Sequence, residues 1–356
     1  KKVIEIKLSN NLKSEKLNQN INLAIVSTTI NGEKGYLPFD SIAKKSKFNT
    51  VKFFISGDKK SLAFDISKFQ CDVEYIEAKA QKKYHCSESI GWNKIMRRNI
   101  ALLKAIEKEP DFILMIDDDN VPSDDYFNIW HKIITNPSKK LEVINKNNSC
   151  WYNYLESSDA IINIYPRGYP LIFRGQESNI NISSQSVFPE EIGLYQGISL
   201  GDPDIDAITR IMYPKPIGEI RIKNYCCKNI WSPYNTQNTM FSKILFPLAF
   251  VWPRCGRYDD IYSSFAWQKY LFNNDLFVHV GDSVNMQYRG KRDIFIDFQM
   301  EVEGMMNAHL VWRSINEISE KDAIKFIVEL ANSENSIINR HKNFFLAYLK
   351  DLETVL

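Results

Sequence analysis

Three short apolar runs constrain this chain more than any other feature: "INLAIVSTTI" at 21–30, "TVKFFISGD" at 50–58 and "FILMI" at 112–116. Each is rich in β-branched and large apolar residues and reads as a strand buried on both faces, as in a parallel sheet covered by helices. A shorter run, "CDVEYIE" at 71–77, belongs with them. Within 91–110, Ile95, Met96, Ile100, Leu103 and Ile106 recur at helical spacing, and Pro110 closes the segment. Strands alternating with helices in this order predict a doubly wound α/β fold, whose ligands sit beyond the carboxyl ends of the strands.

Further along, a helix is expected from Asp124 to about Ile134, then a polar loop to about 150. Residues 159–240 are richer in Gly, Pro and short β-like segments and are expected to continue the sheet and shape a substrate pocket. A glycine turn opens an amphipathic helix at 256–272, and a strand is expected at 276–282. The tail at 319–354 reads as helical, with Ile324, Ile327 and Leu330 on one stripe and Phe344, Phe345, Tyr348, Leu349 and Leu352 on another. Such stripes serve packing or dimerisation. The expected organisation is therefore an arm at 1–20, a catalytic unit at 21–315 with halves at about 21–150 and 151–315, and a helical extension at 316–356.

Charge excludes some functions. Forty-five basic and forty-three acidic residues leave a formal charge of +2, without the basic excess of a nucleic-acid binder. Six cysteines (Cys71, Cys86, Cys150, Cys226, Cys227, Cys255) form no CxxC pair, which speaks against a zinc site or a disulfide framework and for a reducing compartment. The longest apolar runs, such as "ILFPLAFVW", have about half the length needed to cross a bilayer. A cytoplasmic protein is expected, with or without peripheral membrane association, or a Golgi-lumenal one if the chain is eukaryotic.

The run at 112–116 breaks directly into Asp117, Asp118 and Asp119. Two carboxylates about 4 Å apart repel by roughly 4 kcal/mol at an effective dielectric near 20, so three at a strand end call for a counter-charge or a shifted pKa. A hard divalent cation, Mn²⁺ or Mg²⁺, supplies it, taking one or two carboxylates together with phosphate oxygens of a substrate. Period-two alternation turns Asp117 and Asp119 to one side as metal ligands and Asp118 to the other, towards a ribose or the pocket wall. The bland reading is a solvated acidic turn before a helix capped by Ser123 or Asp124.

An apolar strand followed by DDD resembles the Asp-x-Asp motif of nucleotide-sugar glycosyltransferases of the GT-A fold. Other segments agree in order. "RGYP" with a second Arg-Gly pair six residues on, "PDIDA" and "GRYDD" are similar to the reversibly glycosylated polypeptides, which are plant UDP-arabinopyranose mutases. "YPRGYPL", "QGISLGDPDIDA" and "YNTQNTMF" resemble STELLO-type glycosyltransferase-like proteins still more. The resemblance spans about 90–310. It implies a GT-A-like, Rossmann-like mixed central sheet flanked by helices, with a C-terminal helical extension. It implies a metal-dependent enzyme that moves a sugar from a nucleotide-sugar donor, UDP-sugar favoured, to a glycan or polysaccharide hydroxyl. A pyranose/furanose mutase and a non-catalytic scaffold for glycan enzymes are the alternatives, and a homo-oligomer fits each.

Carried over by position, the resemblance places the metal and diphosphate at Asp117, Asp118 and Asp119. It matches Arg167 to the arginine that becomes glycosylated in the mutases; a guanidinium is a poor nucleophile, so a clamp on phosphate or sugar hydroxyls, or packing on Tyr165 and Tyr169, is the other reading. Asp259 and Asp260 are either the general base or helix-start carboxylates welcomed by the dipole, with Arg257 steadying phosphates or the acidic pair. Asp204 and Asp206 are candidate sugar contacts or parts of a proline turn. The D-x-D-x-D spacing from Asp202 lacks the glycine and closing Glu of a calcium loop. Arg97 and Arg98 are candidates for the diphosphate or the base, with a solvated helix face as the other reading, and Ser27, Thr28, Thr29 and Asp58 are candidates for base and ribose by location. The chain departs from the families it resembles at 284–293, where a histidine is replaced by Asn285, Gln287 and Tyr288, with Arg289, Lys291 and Arg292 either a cationic lid over the phosphates or a solvated loop, and at Asn120, where the mutases have cysteine. His279 reads as a core histidine.

Overall fold

The apolar runs at 21–30, 50–58, 71–77 and 112–116 fold as β1 (Asn22–Thr28), β2 (Thr50–Ser56), β3 (Asp72–Ile76) and β4 (Phe112–Ile116), which pair in parallel in the order β3-β2-β1-β4. The structure, a computed structural model, describes residues 20–136, 139–146, 151–155, 164–175, 180–201, 203–213, 224–287 and 293–356. Expectations for the arm at 1–19, Cys150, Asp202, Tyr288, Arg289, Lys291 and Arg292 fall outside these residues.

The sheet continues with β5 (Asn120–Pro122), β6 (Lys139–Lys146), β7 (Ile180–Val187), β8 (Ile192–Gly201), β9 (Tyr225–Cys227), β10 (Asn238–Ser242) and β11 (Phe277–Gln287). The order is β3-β2-β1-β4-β10-β8-β11-β9-β6-β7, with β5 against β11. Strand β10 runs antiparallel to both β4 and β8, and β11 runs parallel to β8. The helices are α1 (Leu37–Ala43), α2 (Ser87–Ile90), α3 (Arg98–Ile106), α4 (Tyr126–Thr135), α5 (Ala207–Met212), α6 (Asp259–Asn273), α7 (Ile294–Glu317), α8 (Ala323–Ala331), α9 (Ser336–Asn339) and α10 (Lys342–Val355). The chain is thus an α/β protein with a mixed central sheet flanked by helices.

Alternate side chains of β1 and β4 feed two apolar layers. Leu23, Ile25, Leu114 and Ile116 join Phe39 of α1 and Trp130 of α4. Ala24, Val26, Ile113 and Met115 join α3, α6 and the C-terminal helices α8 and α10. Burying such a side chain contributes roughly 1.5–3 kcal/mol, which is why runs apolar at every position become central strands. No helix among the described residues is long and apolar enough to cross a membrane.

Three local expectations change. The helix expected over 91–110 begins only at Arg98, because Gly91 (φ 76°) and Asn93 (φ 58°) are left-handed and cannot continue a helix. Ile95, expected on the core stripe, is consequently 50% exposed. The polar loop after α4 contains β6, whose pairing with β7 and β9 is non-local and whose lysines hide its alternation. The long helix α7 carries no clear apolar stripe in the sequence, since its buried face is interrupted by Glu301 and Gly304.

These directions bring four chain segments to one edge of the sheet. Strand β4 ends at Ile116 opposite the start of β10 at Asn238. Antiparallel β8 leaves at that edge, as does β11, which is parallel to β8. The edge beside β1 and β4 is the point where strand order reverses, the place where open α/β sheets bind ligands.

Candidate functional site

The aspartates occupy the turn between β4 and β5, closed by the Asn120 amide donating to the Asp117 carbonyl at 3.4 Å. Asp118 turns away from the edge: its Oδ2 accepts from Thr29 Oγ1 at 2.5 Å and from Asn31 Nδ2 at 3.1 Å. Asp117 and Asp119 both line an open cleft of about 150 Å³. Asp117 is held by Arg98, whose terminal nitrogen lies 2.5 Å from Oδ1 and whose other one donates to the Thr236 carbonyl at 3.1 Å. Burial raises the pKa values of Asp117 and Asp118 against the pull of Arg98 on the first and Thr29 on the second. Among the described residues, Asp119 meets Gln287, whose Nε2 lies 3.4 and 3.5 Å from its oxygens.

The facing wall is built by the sequence "PRGYP". Pro166 bridges Ile205, and the Arg167 amide donates to the Asp204 carbonyl at 2.9 Å, so this segment lies antiparallel to the one leaving β8. Gly168, at φ 96°, packs against Ile261 and Pro233 where a Cβ has no room. Arg167 is thereby buried between two carboxylates. Nε and one terminal nitrogen reach Asp204 at 3.0 and 2.7 Å, and both terminal nitrogens reach Asp260 at 2.9 and 3.1 Å. The fifth N–H donates to the Arg257 carbonyl. Burial alone would lower its pKa, but Asp204 and Asp260 drive it far up.

Gly256 (φ 67°) turns the chain so that Asp259 and Asp260 open α6. Asp259 accepts from the Cys255 amide at 2.7 Å, yet burial pushes its carboxyl up to about 8. Arg257 reaches Glu301 at 2.8 Å and Asp297 at 3.3 Å on α7. Burial raises the Glu301 carboxyl, opposed by Arg167, the Ala207 amide and Arg257.

Asp117, Asp119, Arg167, Asp204, Arg257, Asp259 and Asp260 therefore share one cleft, with Arg98 behind it. The remaining candidates stand elsewhere. Arg97 is buried under Trp92, 4.0 Å from the ring centroid, and donates to Gln81 and Ser87, a structural tie rather than the substrate contact expected. Asp206 caps α5 through Thr209 and pairs with Arg174 at 2.7 Å. Thr28 Oγ1 donates to the Ser56 carbonyl, and Asp58 accepts the Lys59 and Lys94 amides. His279 lies in β11 against Tyr195. Ile95, Thr236, Gln237 and Gln287 complete the cleft. Gln237 lies in the motif "YNTQNTMF", and Gln287 in the segment 284–293 that the sequence singles out.

Five carboxylates and two guanidiniums line the cleft. Among the described residues, no group of three or more His, Cys, Asp and Glu side chains is arranged to hold a metal ion. The donors available, carboxylate and amide oxygens, fit a hard cation whose other ligands come from a phosphate substrate and water.

The chain matches no protein-family model and no curated protein. Among solved structures it is similar to glucosyl-3-phosphoglycerate synthase from Mycobacterium tuberculosis. The complex with phosphoglyceric acid gives a TM-score of 0.42 at 10% identity over 82% of this chain and 80% of that one. The complex with Mn²⁺, UDP-glucose and glycerol 3-phosphate gives 0.41 at 11%, again over 82% and 80%. That similarity is distant and assigns no chemistry to this protein.

Proposed function

We propose that this chain transfers a sugar from a nucleotide-sugar donor to an acceptor hydroxyl with the help of a divalent cation. One observation carries this reading: a cleft at the strand-order reversal is lined by five carboxylates against two guanidiniums. A diphosphate would be repelled there unless a cation came with it. Asp119 and Asp117 are the residues to hold that cation, which when bound would neutralise the diphosphate as it leaves. The motif resemblance favours UDP as the nucleotide and a glycan as acceptor.

The two carboxylates of α6 take different parts. Asp260 is fixed by two hydrogen bonds from Arg167, which weakens it as a base. Asp259, held by one amide and raised to about 8, is the better proton acceptor. It takes the proton of the acceptor hydroxyl as the acceptor oxygen bonds to the anomeric carbon and the bond from that carbon to the phosphate oxygen breaks. The nucleoside diphosphate is the leaving group. Ring exchange through a glycosylated arginine is less well supported, because all five N–H groups of Arg167 are engaged and the side chain is buried.

The test is a panel of UDP-, GDP- and CDP-sugars with and without Mn²⁺, read by calorimetry and by nucleotide release on adding glycan acceptors. Absence of metal-dependent binding across the panel would reject the proposal.

A further inference from the structure

Helix α7 is apolar on the side where a solvated helix is polar. Gly304, Met305, Ala308, Val311 and Ile315 turn inward, and Gly304 admits the Tyr258 ring where a Cβ has no room. On the outer side Phe295, Ile296, Met300, Met306 and Leu310 are 40 to 66% exposed. At about 100° per residue these five fall within an arc of about 140°, so they form one stripe along the helix. Exposed apolar residues scattered singly need no explanation, but five on one face of one helix mark an interaction surface.

The polar residues of the same face choose the occupant. Gln299, Glu303 and Asn307 are interleaved with the apolar side chains, and exposed Asp293 and Arg313 stand at the two ends. A bilayer takes a helix with an unbroken apolar face and a basic polar one, so it matches this stripe poorly. A second copy matches it well. Turning α7 antiparallel to itself about a two-fold axis near Glu303 sets Met300 opposite Met306 of the copy, Ile296 opposite Leu310, and Gln299 opposite Asn307. Met300 and Met306 lie on opposite flanks of the stripe, about 120° apart, so they interlock. The same operation brings Asp293 of each chain to Arg313 of the other, a charge match made twice. Glu303 on the axis meets its own copy, but each Glu303 is already paired with Arg340.

We infer that the exposed stripe of α7 is a homodimer interface, with α7 packed antiparallel against α7 of a second copy. The inference stands apart from the transferase reading. It bears on the cleft all the same, because the first turns of α7 hold Arg257 through Asp297 at 3.3 Å and Glu301 at 2.8 Å, and the copy braces those turns. Strand β7, at the end of the sheet with Ile182 exposed, offers the rival contact.

Sedimentation velocity over about 1–100 µM compares the wild type with Met306→Glu, Arg313→Glu and Ile182→Glu, and circular dichroism checks folding. Expected are a wild-type dimer, a dissociation constant raised at least about hundredfold by Met306→Glu and about tenfold by Arg313→Glu, and no change in Ile182→Glu. Register is read by oxidising a mixture of Met300→Cys and Met306→Cys chains that carry different tags. The mixed disulfide should exceed either self-disulfide, since residues whose Cα atoms lie more than about 7 Å apart do not bridge. Equal mixed and self-disulfides overturn the antiparallel register. A dimer dissolved by Ile182→Glu and kept by Met306→Glu lies at the sheet edge and overturns the inference. A wild type that stays monomeric at about 100 µM overturns it too, and Met306-dependent flotation with phosphatidylcholine vesicles then makes the occupant a lipid surface.

Discussion

Both terminal nitrogens of Arg167 donate to Asp260, at 2.9 and 3.1 Å, while the same side chain grips Asp204 from its other edge. One guanidinium thus joins the segment after β8 to the first turn of α6, and no other residue type has the five donors to do so. Removing it leaves two buried carboxylates facing each other. Arg167→Met is expected to destabilise the fold by about 3–5 kcal/mol, and Arg167→Lys by a large part of that. Urea unfolding with the wild-type slope is the measurement; a midpoint shift worth less than about 1 kcal/mol for the Met variant contradicts the bridging role. Labelled nucleotide sugar should also leave Arg167 unlabelled in peptide mass spectra.

Asp119 and Asp117 differ in what they support. Asp119→Asn should weaken Mn²⁺-dependent nucleotide binding at least about tenfold and leave stability within roughly 0.5 kcal/mol. Asp117→Asn should do both kinds of damage, because Arg98, 2% exposed, loses its counter-ion. A cost near the lower end of about 3–5 kcal/mol is expected, since Asp117 is 25% exposed. Equal stability of the two variants would show that Arg98 does not depend on Asp117.

Asp259 makes stability depend on pH in an unusual direction. Its folded pKa of about 8 lies above its ordinary 3.8, so between those values the native state holds a proton that the unfolded chain has lost. The contribution is fully present below about pH 4 and disappears as pH rises to about 8. Asp259→Asn should therefore show a flatter fall in stability over this window than the wild type. Identical pH profiles would mean that Asp259 ionises normally.

The same group sets the expected rate profile. As proton acceptor it must be ionised, so kcat/KM should rise with pH along a limb near 8 that Asp259→Asn lacks, with kcat down by about 10²–10⁴. Asp260→Asn should instead lower stability through Arg167. If it alone removes the limb, the roles of the two carboxylates are exchanged.

The parts of this structure legible in the sequence are those fixed by short-range order. Largely apolar runs specify β1, β2 and β4, and the passage from Ile116 into Asp117 marks a strand end carrying charge. Pairings between distant segments are not written locally: Arg167 is 37 residues from Asp204 and 93 from Asp260, and only the sheet order unites them. Gln237 and Gln287 are ordinary strand-end amides until the register of β10 and β11 places them in the cleft. Arg97 and Arg98 looked equivalent, but neighbours entering a helix point about 100° apart, and only Arg98 faces the aspartates.

The tether at Asp351 sets an order of events. Its carboxylate accepts the amides of His85 and Cys86 from 266 and 265 positions away, and these precede α2, whose Ser87 holds Arg97. During synthesis those two amides stay open to water until α10 is made and docks. The turn that carries Ser87 and holds Arg97 therefore completes its packing only after α10 docks, and a chain stalled before residue 351 presents it open to chaperones.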